Sequence, residues 1–245
     1  MTETWIILGA TSGMARPFIR SLAEAGHGII LCGRKTDEMS AQATDLEARG
    51  ASGVAVMRLD MRDPASFDPI IERAKSTVGT LCCAVFVGSM PDQGAIDADA
   101  SLVDGVIADS LTGPTRFLTL LAPVLAARGN GTIVGIGSVA GDRGRLGNYV
   151  YGAAKAGFAA YLSGLRNKLG RSGVHVMTVK PGPVDTPMTW GLGKMPFMIS
   201  PDQVSADINA GLRKKRNVVY TAKIWRPIMF VIRSIPEPIF KKMSI

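Results

Sequence analysis

Three side chains between residues 138 and 155 have the types and the spacing that carbonyl chemistry requires. Ser138 follows an apolar run, and Tyr151 and Lys155 stand four residues apart in "YVYGAAKAGF". Residues four apart share one face of a helix, so we expect the phenol and the ammonium side by side. The ammonium would favour ionisation of a phenol whose pKa is ordinarily about 10, and the serine hydroxyl would hold a substrate oxygen. The set predicts hydride transfer between a ketone and a secondary alcohol.

The rest of the 245 residues alternates apolar runs with helical patterns, for example Ala15–Ala25, Ala41–Arg49 and Tyr151–Gly170. Strands are predicted at Trp5–Gly9, Gly28–Cys32, Val54–Leu59, Leu81–Val87, Thr132–Gly137, Val174–Lys180 and Val218–Tyr220. Such a pattern predicts an α/β, Rossmann-type fold, a doubly wound parallel sheet of about seven strands with helices on both faces. We assign one domain to residues 1–221 and a basic amphipathic appendage to residues 222–245.

The stretch "GATSGMA", residues 9–15, lies where the first strand passes into the first helix. Its glycines would let the chain turn sharply and bring main-chain N–H groups to a pyrophosphate at the positive end of that helix. Ala15 replaces the third glycine of the usual fingerprint, at a position that mainly serves helix packing. We therefore expect a dinucleotide to bind against Gly9, Thr11, Ser12, Gly13 and Met14.

Two further positions bear on which dinucleotide binds. The second strand ends in "ILCGRK", without the carboxylate that would accept from the ribose 2′-OH of NAD, and Arg34 could face a 2′-phosphate instead. Asp60 follows the third strand and could contact the adenine amino group. It could also cap the next helix, although Asp63 is better placed for that. The predicted cofactor is NADP(H).

With these motifs the chain resembles the short-chain dehydrogenase/reductase family over roughly residues 4–221. The resemblance implies that Ser138, Tyr151 and Lys155 are catalytic and that the last two also contact the cofactor. The segment "KPGPVDTPM" is similar to the family's nicotinamide segment, which implies cofactor contacts from Pro181, Gly182, Val184 and Thr186. The resemblance also implies a homodimer or a homotetramer.

The chain departs from the family pattern in two places. Where the family usually has Asn-Asn-Ala-Gly, this sequence has "VFVG", which ends at Gly88, a predicted cofactor contact. Where the family usually has a catalytic asparagine that steadies a water chain to the lysine, "DSLTG" places Ser110 in register. The role of that asparagine could pass to Ser110, to a main-chain carbonyl or to water.

The charge excess of the chain lies at its end. Residues 213–245 contain nine basic residues and one acid, Glu237, and this difference equals the net charge of +8 for the whole chain. The segment "KKRNVVYTAKIWRPIMFVIRSIPEPIFKKM" resembles the tail of the bacterial decaprenylphosphoryl-2-keto-ribose reductases. A short helix that mixes tryptophan with basic residues suits an anionic membrane surface. The alternative is a helix that packs on its own domain or on a second copy.

Substrate contacts are predicted in two loops. Arg143 and Arg145 could clamp a phosphate, since guanidinium groups bind phosphate through paired hydrogen bonds, or they could be ordinary surface arginines. Met188 and Trp190 belong to "MTWGLGKMPFM", which could close over an apolar substrate or pack against a neighbour. The favoured substrate is a lipid-linked keto-sugar or another amphipathic ketone. A soluble oxoacyl-thioester or steroid-like ketone, and a sensor or scaffold that binds NADP without turnover, are the alternatives.

Other chemistries find little support in the sequence. The two histidines, His27 and His175, belong to no cluster of metal-ligating residues, so no metal is expected. The basic tail has no pattern of a nucleic-acid-binding fold, and no nucleic-acid partner is expected. Three cysteines without a disulfide pattern predict a cytoplasmic protein, which could be peripheral on the inner face of the cell membrane.

Overall fold

The chain folds around one parallel sheet. The structure, a computed structural model, describes residues 2–190 and 195–244. Seven strands lie in the order β3-β2-β1-β4-β5-β6-β7, and all neighbours pair in parallel. The strands are β1 (Glu3–Leu8), β2 (Gly28–Gly33), β3 (Gly53–Arg58), β4 (Thr80–Val85), β5 (Thr132–Ile136), β6 (His175–Pro181) and β7 (Val218–Thr221). The predicted Rossmann-type fold is confirmed, and each predicted strand overlaps an observed one.

Helices connect the strands. They are α1 (Ala15–Glu24), α2 (Thr36–Ala48), α3 (Asp68–Ser76), α4 (Gln93–Ala98), α5 (Leu102–Ile107), α6 (Gly113–Arg128), α7 (Tyr149–Gly170), α8 (Pro201–Arg213), α9 (Trp225–Ser234) and α10 (Glu237–Phe240). Helix α2 begins five residues before the predicted Ala41. Its first turn is polar and carries Asp37 and Glu38, so the apolar periodicity that marked the helix begins only later.

Successive residues of a strand enter two separate cores. In β1, Ile6 and Leu8 join the core that α3, α6 and α7 cover, whereas Trp5 and Ile7 join the core under α1, α2 and α8. Side chains of a strand alternate between the faces of a sheet, so a strand that is covered on both faces must be apolar throughout. This explains the continuous apolar runs of the sequence.

The order of the strands reverses between β1 and β4. In open α/β sheets, ligands bind outside the carboxyl ends of the strands at such a switch point. The glycine turn after β1 lies there, and its Gly9 N–H donates to Cys32 O at the end of β2 at 2.9 Å. The ends of β4, β5 and β6 open at the same edge, which brings distant parts of the chain together.

The segment after β7 packs on the domain. Trp225 and Met229 of α9 are buried against Val139, which follows β5. The Arg143 guanidinium donates to Ile232 O at 2.7 Å and to Ile235 O at 2.6 Å, and it forms an ion pair with Glu237. The inner face of α9 is thereby held beside the turn that follows Ser138, while Phe230 and Val231 on the outer face are exposed.

Candidate active site

A cleft of about 380 Å³ lies at the switch point of the sheet. The glycine turn forms one wall, and the ends of β2, β3, β4 and β5 contribute the others. Of the residues predicted to bind the cofactor or to act in catalysis, those that line this cleft are Gly9, Thr11, Ser12, Gly13, Met14, Arg34, Asp60, Gly88, Tyr151, Lys155 and Thr186. The fold therefore brings most of the predicted cofactor set into one continuous space.

The shape of the glycine turn fits a dinucleotide. Gly9 has φ +81°, a conformation that L side chains rarely adopt, and a Cβ there would lie 3.1 Å from Val87 N. A Cβ at Gly13 would lie 3.2 Å from Thr186 Cγ2, in the narrowest part of the turn. Without these side chains, the main chain before α1 is open to a pyrophosphate.

The cleft is basic beside the end of β2. Arg34 is exposed on its wall, as is Lys35, which also pairs with Glu38 at 3.3 Å. Asp60 also lines the cleft, and its Oδ1 accepts from Arg62 N at 3.0 Å. The helical turn after Asp60 is capped by Asp63, whose side chain accepts from Ala65 N, so Asp60 has no capping role there.

Ser138, Tyr151 and Lys155 meet where β5 ends. Tyr151 and Lys155 lie in the first two turns of α7, with Lys155 Nζ 5.8 Å from the centre of the Tyr151 ring. Gly152 allows the turn after Ser138 to approach this helix, since a Cβ there would lie 2.8 Å from Ala140 O. The Ser138 hydroxyl accepts from Ala140 N at 3.1 Å.

Lys155 is a buried cation. Its side chain is only 3% exposed, and Nζ donates to Ile136 O at 2.9 Å and to Val87 O at 3.3 Å. Burial lowers the pKa of Lys155 to about 8. Burial also raises the pKa of Tyr151 to about 12, against the smaller opposing effect of Ser138. In the free protein near pH 7, the phenol is therefore protonated and the amine is charged.

A second cavity, of about 780 Å³, opens from the first. The two spaces share Met14, Gly137, Tyr151, Thr186 and Met188. The second cavity also contains Ser138, Arg145 and the predicted nicotinamide contacts Pro181, Gly182 and Val184. Tyr151 therefore stands at the junction between a glycine-walled cleft and a larger cavity that is rich in methionine.

Comparison with known proteins gives this arrangement a family. The family model of the short chain dehydrogenases matches residues 3–196. The chain belongs to this family. This short-chain dehydrogenase is also 32% identical, over 97% of its length and 96% of the relative's, to an uncharacterized oxidoreductase of Mycobacterium tuberculosis. The predicted family resemblance is thus confirmed.

Two other similar proteins have more specific descriptions. Sulfoacetaldehyde reductase 2 of Chromohalobacter salexigens is 34% identical, over 77% of this chain and 75% of the relative. A short-chain dehydrogenase from Sphingobium yanoikuyae, solved in complex with NADPH, superimposes with a TM-score of 0.83 over 97% of both chains at 23% identity. The second likeness establishes the fold.

In this short-chain dehydrogenase, main-chain carbonyls bind the Lys155 ammonium. Ser110, which stands where the family usually has asparagine, is fully buried in a π-helical turn, Ala108–Thr112. Its hydroxyl accepts from Ser89 N at 3.3 Å and lines neither of the two spaces. A Cβ at Gly88 would lie 3.1 Å from Lys155 Nζ and 3.3 Å from Ser110 Oγ, so Ser110 lies just behind the strand end that faces the lysine.

The four predicted substrate residues have different surroundings. Arg145 and Met188 line the second cavity. Arg143 lines neither space, because its guanidinium is bound to carbonyl oxygens at the C-terminal end of α9 and lies 3.7 Å from the centre of the Phe240 ring. Trp190 also lies outside both; it is 71% exposed, and its indole N–H donates to Asp185 Oδ1 at 2.9 Å. Residues 191–194 of the predicted lid lie outside the described residues.

Sequence reasoning missed two features of the site. Trp225 of α9 lines the second cavity, with its indole nitrogen against Gly182, although the tail was predicted to be an appendage. The spacing of Trp225, Met229 and Ile232 is the signal that could have shown an inward face. The other feature is Asp109, which lines the cleft and binds Arg62 through two hydrogen bonds of 2.9 and 2.8 Å.

The narrow glycine turn generates a first prediction. Gly13→Ala should weaken the binding of a nicotinamide dinucleotide at least about tenfold, because the added methyl group occupies the space of the pyrophosphate. The measurement is a fluorescence titration with the reduced dinucleotide. Thermal unfolding should change little, since the Thr186 side chain can move aside.

Gly164→Ala is the matched control. Gly164 lies in the middle of α7 with no atom within 4 Å of an added Cβ. Alanine there should leave dinucleotide affinity unchanged and raise stability by about 0.5–1 kcal/mol. Equal affinity in Gly13→Ala and in the wild type would show that the pyrophosphate does not bind at this turn.

Proposed function

We propose that the chain is an NADP(H)-dependent reductase that interconverts a ketone and a secondary alcohol. The position of Tyr151 carries the proposal. Its phenol, which can give a proton, lines both the dinucleotide cleft and the larger cavity, and Lys155 lines the cleft beside it. A substrate in the larger cavity would reach both the phenol and the Ser138 hydroxyl. A bound nicotinamide would enter the same cavity beside Tyr151, against Pro181, Gly182 and Val184.

The chain's own residues act on the carbonyl oxygen. When bound, the nicotinamide would supply a hydride, which is a proton with two electrons, to the carbonyl carbon. Ser138 donates a hydrogen bond to the oxygen, and Tyr151 gives the oxygen its proton as negative charge develops there. Lys155 stabilises the phenolate that remains. Its ammonium has three N–H donors and uses two on Ile136 O and Val87 O, so the third is available to a ribose hydroxyl.

The wall of the cleft favours NADP(H) over NAD(H). Arg34 and Lys35 follow β2 where a ribose-binding carboxylate would otherwise stand. The nearby acid, Glu38, is bound by both Arg16 and Lys35, so its charge is neutralised. Arg34 has no ion pair among the described residues and is available to a 2′-phosphate. The similar protein from Sphingobium yanoikuyae, which was solved with NADPH, agrees with this choice.

Tyr151→Phe tests the reductase. The variant should lose at least about 100-fold in kcat for ketone reduction, because it has no proton to give, and should still bind NADPH. Activity is followed as NADPH oxidation against a panel of soluble and lipid-linked ketones. Tyr161 lies on the same helix as Tyr151, and Tyr161→Phe, which removes a hydroxyl that bonds to Thr119 of α6, is the control. A Tyr151→Phe protein with wild-type turnover would exclude this mechanism, and a wild type that binds NADPH without reducing any ketone would favour a sensor.

The pH dependence follows from Lys155. Because its pKa is lowered to about 8, the charged form is present below that pH and is lost above it. Tyr151, with its pKa raised to about 12, stays protonated across the same range. We expect kcat/KM for NADPH, which reports the free enzyme, to fall as the pH rises through about 8. A profile that stays level well above that pH would show that the ammonium is not required.

The favoured substrate is a lipid-linked keto-sugar, and the size of the second cavity supports a bulky, amphipathic molecule. Its described apolar walls include Met14, Met90, Val139, Met195 and Trp225. The likeness of the tail to the decaprenylphosphoryl-2-keto-ribose reductases points the same way. The alternative, a small soluble carbonyl, draws support from the relative named sulfoacetaldehyde reductase 2. The ketone panel separates the two.

We further infer that the outer face of α9 docks on an anionic lipid surface. Phe230 and Val231 are 73% and 61% exposed on this face, beside Arg226. An adjoining cleft of about 210 Å³ is lined by four basic residues and one acid, Asp207; the basic residues are Lys214, Arg216, Lys223 and Arg226. None of the four forms an ion pair with a described residue. No described helix is long and apolar enough to span a bilayer, so docking would be peripheral.

Sedimentation with vesicles tests the docking. The wild type should bind phosphatidylglycerol vesicles and bind phosphatidylcholine vesicles weakly. A double variant, Lys223→Gln with Arg226→Gln, should lose roughly 30-fold in affinity, since each charge near an anionic surface contributes about 1 kcal/mol. Phe230→Ser should weaken binding further. Point variants are needed because deletion of residues 222–245 would also remove Trp225 from the cavity wall.

The control for the apolar contact is Val78→Ser, which changes a 92% exposed side chain elsewhere on the surface. It should leave vesicle binding unchanged, and all variants should reduce a soluble ketone at the wild-type rate. If Phe230→Ser instead dissociated an oligomer and left vesicle binding intact, a second copy of the chain would be the occupant of this face.

A further inference from the structure

The larger cavity contains one cation that the reductase mechanism does not use. Arg145 is the one basic residue among its described lining residues, and Asp92 is the one acidic residue. Asp92 lies at the exposed start of α4, where its carboxylate caps the helix by accepting from Ala95 N. No ion pair joins the two residues. The charge of Arg145 is therefore uncompensated within the cavity.

The Arg145 guanidinium lacks partners elsewhere in the described chain as well. Its Nε is buried and makes no hydrogen bond. The nearest acid in sequence, Asp142, is occupied: it binds Lys180 and accepts from the Tyr220 hydroxyl at 2.8 Å. Burial lowers the pKa of Arg145, with Asp142 acting in the opposite direction at a distance. A guanidinium remains charged under these conditions, because its ordinary pKa is far above neutral pH.

Another polar group in the same cavity is unpartnered. Asn148 Oδ1 is buried without a hydrogen bond, and Asn148 lines the cavity beside Arg145. Buried polar groups in folded proteins are nearly always paired, so unpaired groups on two residues that line one cavity indicate a site for a polar ligand. The guanidinium donates to an anion through parallel hydrogen bonds, and the amide oxygen accepts from a hydroxyl or an amine.

Both residues line the same cavity as the reacting position. Arg145 and Asn148 share the cavity with Ser138 and Tyr151, and its remaining walls are largely apolar. A molecule whose ketone lies at Tyr151 can therefore place an anionic oxygen group at Arg145 and a hydrocarbon part against the methionines. A cation beside low-dielectric walls attracts an anion more strongly than one in water does.

We propose that this reductase selects ketones that carry an anionic oxygen group, a carboxylate, sulfonate or phosphate ester, and that Arg145 binds that group. The proposal rests on the proposed ketone reduction and names the substrate class of the same site. It assigns the anion to one arginine, since Arg143 is bound to carbonyl oxygens at the C-terminal end of α9. Arg145 is thus a specificity-determining residue, and the proton transfer remains with Tyr151.

The test compares three probes on one carbon skeleton: a long-chain keto acid, its methyl ester and the phosphate monoester of the matching keto alcohol. The wild type should show a higher kcat/KM with NADPH for the two charged probes than for the ester. Arg145→Gln should lower kcat/KM for the charged probes by roughly 10- to 100-fold, the value of a charge-assisted hydrogen bond, and leave the ester unchanged. Arg145→Lys should retain part of the preference, because it keeps the charge and loses the paired geometry.

Arg171→Gln is the matched control. Arg171 is exposed just after the C-terminal end of α7. The variant removes the same charge as Arg145→Gln does, but at a distance from the cavity. It should leave all three probes unaffected. A variant whose thermal unfolding differs from the wild type is replaced in the comparison by Arg145→Lys. Equal loss for the ester and the acid in Arg145→Gln, or a wild type that treats them alike, would overturn the proposal.

Calorimetric titration of the keto acid into enzyme saturated with NADP⁺ separates this proposal from the proposed reaction. Absence of NADPH oxidation with every probe would contradict the reductase. Keto-acid binding that Arg145→Gln weakens and Arg171→Gln does not would still support the anion site in that case. Keto-acid binding of equal affinity in the wild type and Arg145→Gln would exclude the anion site, whether or not turnover occurs.

Discussion

The rest of the site depends on the hydrogen bonds that hold the buried ammonium of Lys155. A charge that is removed from water must be bound, and Ile136 O and Val87 O bind this one. Those carbonyls lie at or just beyond the carboxyl ends of β5 and β4, which pair in parallel with Val85 opposite Gly135. The two acceptors converge only because these strands end together and α7 crosses in front of them. The lysine therefore links the reactive edge of the sheet to the helix that carries the phenol.

Main-chain carbonyls thus bind Lys155 in a chain that has Ser110 in register with the family's usual asparagine. The resemblance implies an asparagine that steadies a water chain to the lysine, and in this chain two carbonyls accept from the ammonium. Ser110 is instead turned to Ser89 N, and it helps to hold the loop after β4. That loop includes Val87, whose carbonyl oxygen is one of the two that accept from the Lys155 ammonium. A side chain that no longer faces the lysine can thus still act on it, through the position of the strand end.

Two kinds of feature were predictable from the sequence. One is the set of strands that helices cover on both faces of the sheet, and the other is the pair of side chains that helical spacing brings together. The strands are apolar throughout because Ile6 and Ile7 face different cores, and Tyr151 and Lys155 meet because four residues make about one helical turn. The surroundings of Arg143, Arg145 and Trp225 were not predictable in this way. Their partners, or the lack of them, depend on contacts across the fold, such as Arg143 with Ile232. Arg143 and Arg145, two residues apart in one loop, therefore differ in whether their guanidinium groups are available to a ligand.

Helix α9 contributes to the wall of the second cavity with one face and is exposed on the other face. Its Trp225 and Met229 are buried beside the turn after Ser138, and its Phe230 is exposed, because neighbouring positions on a helix point about 100° apart. Arg143 fixes the carbonyl end of this helix to the same turn. A surface that binds the outer face would therefore hold a helix that also forms the cavity wall. One face of the helix is apolar and forms part of the cavity wall, and the other face is exposed and carries basic residues. The two faces can therefore serve different contacts at the same time.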